Sequence, residues 1–98
     1  NSVSTKEAYK EKIEAEVDLA QAKLAELKAQ ARSSTADARI KYDDQIDKLQ
    51  QKVDATRDKL KELGESGEDS WEQLKDGIEH TWNDLNSAVR DAVARFKK

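Results

Sequence analysis

The sequence predicts an all-α protein, an antiparallel three-helix bundle of coiled-coil character, on three observations. Apolar residues recur at alternating steps of three and four along most of the chain. Charged residues make up 40% of the 98 positions and hydrophobic ones 36%, with Ala, Glu, Lys, Leu, Gln and Asp dominant, the mixture of long exposed helices. Proline is absent, so no helix is forced to kink or stop for want of an N–H. A mean hydropathy of -1.02 approaches the range of disordered chains. The net charge of only -3 and the 3 glycines place the chain outside that class.

The first helix spans about 5–32. Its seam is Ile13, Val17, Ala20, Leu24, Leu27 and Ala31, a heptad pattern with Lys, Glu and Ala between. The second spans about 36–63, with Ile40 ahead of a seam at Tyr42, Ile46, Leu49, Val53, Thr56, Leu60 and Leu63. The third spans about 68–97 and carries Trp71, Leu74, Ile78, Trp82, Leu85, Val89, Ala92 and Phe96. Together they make one helical domain over 1–98.

The junctions differ in their chemistry. After Leu63, Gly64 reads as a left-handed C-cap, and Ser66 with Asp69 three residues on reads as a capping-box start for the third helix. The stretch Arg32–Asp37 has capping residues but neither Gly nor Pro. It fits a tight turn, and it also fits a polar stretch inside one long helix.

Antiparallel pairing can be tested by register. Val17 with Val53, Leu24 with Ile46 and Leu27 with Tyr42 mirror about Ser34 and Thr35. Leu60 with Leu74, Leu49 with Leu85 and Tyr42 with Ala92 mirror about Gly67. Both mirror points fall on turn-forming residues. Three helices of ~27 residues and ~40 Å follow. The alternative is a dimeric protein whose first two helices fuse into a rod over 5–63, ~90 Å long, with a third helix attached. Either core is thin, so self-association as a dimer is expected in preference to a monomer.

Charge and residue inventory restrict function. The first two helices are electrically balanced, and residues 64–98, with five basic and eight acidic side chains, account for the whole net charge. Glu65, Glu68, Asp69, Glu72, Asp76 and Glu79 come before Arg90, Arg95, Lys97 and Lys98, the order a helix dipole favours. Mixed-sign helices with an acidic excess argue against nucleic-acid binding. No apolar run reaches the ~20 residues of a membrane span. No segment reads as a signal peptide, so a cytoplasmic location is expected, with the periplasm as the alternative. The start at Asn1 fits processing or a few added residues.

Candidate chemistry is sparse. The chain has no Cys, which removes thiolate catalysis and cysteine-based metal sites. His80, the one histidine, has Asp76 and Asp84 one turn away on either side, so a weak metal site is geometrically conceivable. A di-iron bundle would instead need Glu-x-x-His motifs on two helices, and Gly77 stands three residues before His80. The expectation is a solvent-facing histidine with no metal. Serines fall in turns and at helix ends, where capping explains them, and the glycines form no phosphate loop. No catalytic residues and no cofactor are expected.

Trp71, Trp82 and Phe96 remain as the candidate partner-binding residues. Their bland role is to fill the core; their functional role would be to meet a partner helix or a lipid interface. Against lipid, the polar face of the third helix is acidic at its start. Gly77, between the two tryptophans, predicts either close approach of a neighbouring helix or a local bend.

Several stretches carry a resemblance: Lys6-Glu7-Ala8-Tyr9, Ala36-Asp37-Ala38-Arg39-Ile40-Lys41-Tyr42, Gly67-Glu68-Asp69-Ser70-Trp71-Glu72-Gln73-Leu74-Lys75 and Thr81-Trp82. With them the chain, over nearly its whole length, resembles a family of short bacterial coiled-coil proteins of unknown function, some labelled stress-response proteins. The resemblance implies a bacterial, helical, non-enzymatic protein and supplies no catalytic residues. The expected function is therefore structural or protein-interacting, through self-association and a helical protein partner. The alternative is a reversible lipid-interface binder acting through the third helix.

Overall fold

A computed structural model describes residues 4–96 of the chain. It contains three helices, α1 (Thr5–Arg32), α2 (Ala36–Glu65) and α3 (Glu72–Phe96), and no strand among the described residues. They fold back on one another into an all-α three-helix bundle measuring 52 × 24 × 18 Å. The expected final residue of the third helix, 97, lies outside the described residues.

The ends of α1 are set by short polar side chains. Ser4 stands in extended conformation and its hydroxyl accepts from the Glu7 amide at 3.1 Å, satisfying a donor that has no partner within the helix. At the other end the Ser33 and Ser34 hydroxyls both donate to the Gln30 carbonyl at 3.0 Å. Thr35 then restarts the chain as the N-cap of α2, accepting from Ala38 N at 3.4 Å. Three hydroxyl residues thus replace a Gly- or Pro-based turn. The rod over 5–63 is overturned, because α1 ends at Arg32, Thr35 stands in extended conformation and α2 starts afresh at Ala36.

Two expectations about the second turn are also overturned. Gly64 is not a left-handed cap: no described residue has a positive φ, and α2 runs through Gly64 to Glu65. A Cβ at Gly64 would stand 3.2 Å from Lys10 Cε, so its smallness gives room to the Lys10 stem. Ser66 does not open α3. It closes α2, with its hydroxyl donating to Leu63 O at 2.7 Å. The chain then turns through 67–71, held by Ser70 N→Gly67 O and Leu74 N→Trp71 O, and α3 begins at Glu72.

The α2–α3 register is offset by two to four residues from the expected one. Tyr42 stacks on Phe96, with ring centroids 4.0 Å apart, and not on Ala92. Lys52 pairs with Asp84 at 2.6 Å. The α1–α2 register is marked by Gln21 and Gln50, which exchange amide hydrogen bonds at 3.3 Å, and by Arg57 with Asp18 at 3.3 Å.

The seams predicted from spacing make one continuous core. Val17, Leu24, Val53, Leu63, Ile78 and Leu85 are sealed from solvent, and Trp71 and Phe96 close its two ends. Thr56 sits fully inside the seam with its hydroxyl donating to Lys52 O at 2.9 Å, so a buried polar group is satisfied locally. Gly77 belongs to none of this: nothing lies within 4 Å of where its Cβ would be. The expected close approach of a neighbouring helix is absent there.

Candidate functional site

The three aromatic side chains expected on the third helix are not brought together, and Trp71 falls in the turn just before α3. At 1.5 Å per residue Trp71 lies ~16 Å and Phe96 ~21 Å from Trp82 along the helix. Trp71 is buried at one pole, its ring 5.6 Å from that of Tyr9, with Lys75 Nζ 5.7 Å from the Trp71 centroid and 5.4 Å from the Tyr9 centroid. Such cation–aromatic contacts fix the α1–α3 packing at that end. Phe96 is buried against Tyr42 at the opposite pole. Trp82 alone is half-buried, midway along the molecule.

Trp82 stands in a groove between α1 and α3. Two adjoining hollows, of about 310 and 230 Å³, share Trp82 and Glu16 as walls. The first also meets Tyr9, Ile13 and Lys12, and the second meets Leu19, Ala20 and Val89. Ala20 explains the opening: at a seam position a larger side chain would fill the space beside Trp82, and Ala does not. Leu19 is 66% exposed, on the outer lip. Spacing alone missed it because Leu19 precedes the seam residue Ala20 and so falls off the heptad.

At the Trp71 end the groove is closed by a polar contact. Tyr9 Oη donates to Glu79 Oε2 at 3.1 Å. Partial burial, then that hydrogen bond, then the negative charges of Glu79 and Asp76 push the Tyr9 phenol well above its usual value. The phenol is therefore held neutral, and it acts as a donor latch between α1 and α3.

A third hollow, about 170 Å³, opens between α2 and α3 beside Gln45, Leu49, Ala92 and Arg95. The buried Gln45 Oε1 has no hydrogen-bond partner there. Around His80 the structure offers no converging ligand set: the imidazole is exposed, Asp84 is engaged by Lys52, and no cluster of three metal-ligating side chains occurs among the described residues. The described serines that donate or accept at Ser4, Ser33, Ser34 and Ser66 do so to helix ends.

No family model, characterised protein or solved structure matches this chain. The surface that the geometry singles out is thus argued from its own residues: an open groove with an apolar floor, a half-covered Trp82 and an uncovered Leu19.

Proposed function

We infer that this chain is a non-enzymatic interaction protein, a closed helical bundle that accepts a helix of a protein partner along the α1–α3 groove. The observation that carries the reading is Leu19, a large apolar side chain 66% exposed beside half-buried Trp82. Leu19 adds nothing to the core, and covering it and Trp82 would remove apolar surface from water at about 25 cal/mol per Å². A helix laid in the groove does this through residues spaced three and four apart, the pattern by which helices recognise grooves. The resemblance to short bacterial coiled-coil proteins supports placing such binding in a bacterial, stress-related setting.

The lipid-interface alternative has less support. Trp71 and Phe96 belong to the core, so a lipid surface would meet them only after the bundle opened. The first turns of α3 are also acidic, which anionic membranes repel.

A photoreactive residue at position 19 tests the reading in the cells that make the protein, with the same residue at Ile40 on α2, itself 71% exposed, as control. Discrete protein adducts from position 19 and not from position 40 are expected. Equal labelling from both positions, or lipid adducts in place of protein, would contradict it.

A further inference from the structure

The groove's outer lip on α1 carries a charge order that selects its occupant. The stripe Lys12, Glu16, Leu19, Lys23 and Glu26 runs one residue ahead of the core seam Ile13, Val17, Ala20, Leu24 and Leu27. It is therefore turned about 100° around the helix from the core, at 3.6 residues per turn. Four of its members line the two hollows beside Trp82, which places the stripe on the α3 side of α1.

About Leu19 the stripe is antisymmetric in charge. Lys12 stands seven residues before it and Glu26 seven after; Glu16 stands three before it and Lys23 four after. Resting on the docking reading given above, we propose that the occupant of this groove is α1 of a second copy of this chain, antiparallel, with the two-fold axis at Leu19.

In that arrangement Lys12 faces Glu26 of the partner at the same height, and Glu16 faces the partner's Lys23 within about 1.5 Å along the axis, from the rise per residue. The two-fold repeats both pairs, so four ion pairs of opposite sign frame a central Leu19–Leu19 contact. A parallel pairing would set Lys on Lys and Glu on Glu at every level, so the charges select the antiparallel one. Ala15 and Ala22, both exposed, flank Leu19 on its far side and leave no long side chain to hold the two helices apart. Lys23 also lies 3.4 Å from Glu26 within its own helix. Both are partly exposed, and an exchange between this contact and the intermolecular ones costs little in water. Covering the stripe also covers Trp82, which completes the groove.

Two charge variants of the whole chain test the pairing by sedimentation equilibrium. Lys12→Glu with Lys23→Glu makes the stripe wholly acidic; Glu16→Lys with Glu26→Lys makes it wholly basic. The wild type is expected to dimerise reversibly, with its emission shifting to the blue as Trp82 is covered. Each variant alone should lose ~100-fold or more in dimer affinity through four reversed pairs. An equimolar mixture of the two should recover a 1:1 dimer, which also shows that both variants are folded. A wild type monomeric at every concentration overturns the proposal, as does dimerisation that both variants retain alone. A monomer in sedimentation whose position 19 still crosslinks to a different protein overturns self-pairing and leaves the docking reading standing.

Discussion

Lys6 Nζ donates to the Ser66 carbonyl at 2.8 Å, joining the first turn of α1 to the C-cap residue of α2 across sixty positions of chain. Lys6 is only 7% exposed, so this ammonium is buried and serves as a cap for a helix end that has no glycine cap of its own. Its stem packs where the heptad of α1 would place a core residue, and its charge falls where the α2 dipole is negative. Glu68 lies 3.8 Å away but is 61% exposed and adds little.

Lys6→Met keeps the stem and removes the donor, leaving Ser66 O without its partner. The variant should lose about 1–3 kcal/mol of stability in denaturant unfolding. Glu68→Gln, by the same measurement, should stay within about 0.5 kcal/mol of wild type. Equal losses from the two would place the stabilisation in the ion pair and not in the cap.

Gly77→Ala should stabilise the protein by up to about 1 kcal/mol, since α3 is helical there and the added methyl enters open space. Gly64→Ala should gain less, because its methyl would press on Lys10 Cε. Thermal unfolding of the two variants checks the order. A loss at Gly77 would mean that the site needs its small size for a contact outside the isolated chain.

Thr56→Val replaces a buried hydroxyl by a methyl of similar shape. Because the hydroxyl bonds only to Lys52 O in its own helix, stability should change by no more than about 1 kcal/mol. Thr56→Ala removes the branch as well and should cost about 1–2 kcal/mol through the space it leaves. Chemical denaturation separates the two. A large loss for Val would show that the hydroxyl, and not the volume, is what the core requires.

Alkali should erode the stability that the Tyr9 latch adds, because the unfolded chain ionises its phenol before the folded one does. The Tyr9 phenol has its folded pKa raised above the unfolded value of about 10, so its contribution is intact below that pH and is lost as pH rises above it. The stability difference between wild type and Tyr9→Phe should be constant from neutral pH to about 9 and should shrink above about 10. A difference that grew in alkali would reverse the sign of the shift.

Much of this fold was legible because seam residues report burial directly: Val17, Leu24, Val53, Leu63, Ile78 and Leu85 were all placed inward by spacing. The α1–α2 turn was legible as capping chemistry at Ser33, Ser34 and Thr35, but whether it broke the helix depended on hydrogen bonds that spacing does not report. The α2–α3 turn was misread because Gly64 and Ser66 carry the residue types of a cap and a start, while the chain uses them for room and for closing α2. Lys6 was missed because a charged side chain at a seam position reads as surface. Among the aromatic candidates, equal size hid unequal placement. Trp82 differs from Trp71 through its neighbour Ala20, a residue on another helix.

That difference is what the docking account stands on, and two single-tryptophan proteins measure it. In Trp71→Phe the remaining Trp82 should be readily quenched by acrylamide in dilute protein, and in Trp82→Phe the remaining Trp71 should be shielded. Quenching that is equal for both, or stronger for Trp71, would mean that the bundle is not closed around Trp71 with Trp82 on its working surface, and would contradict the account.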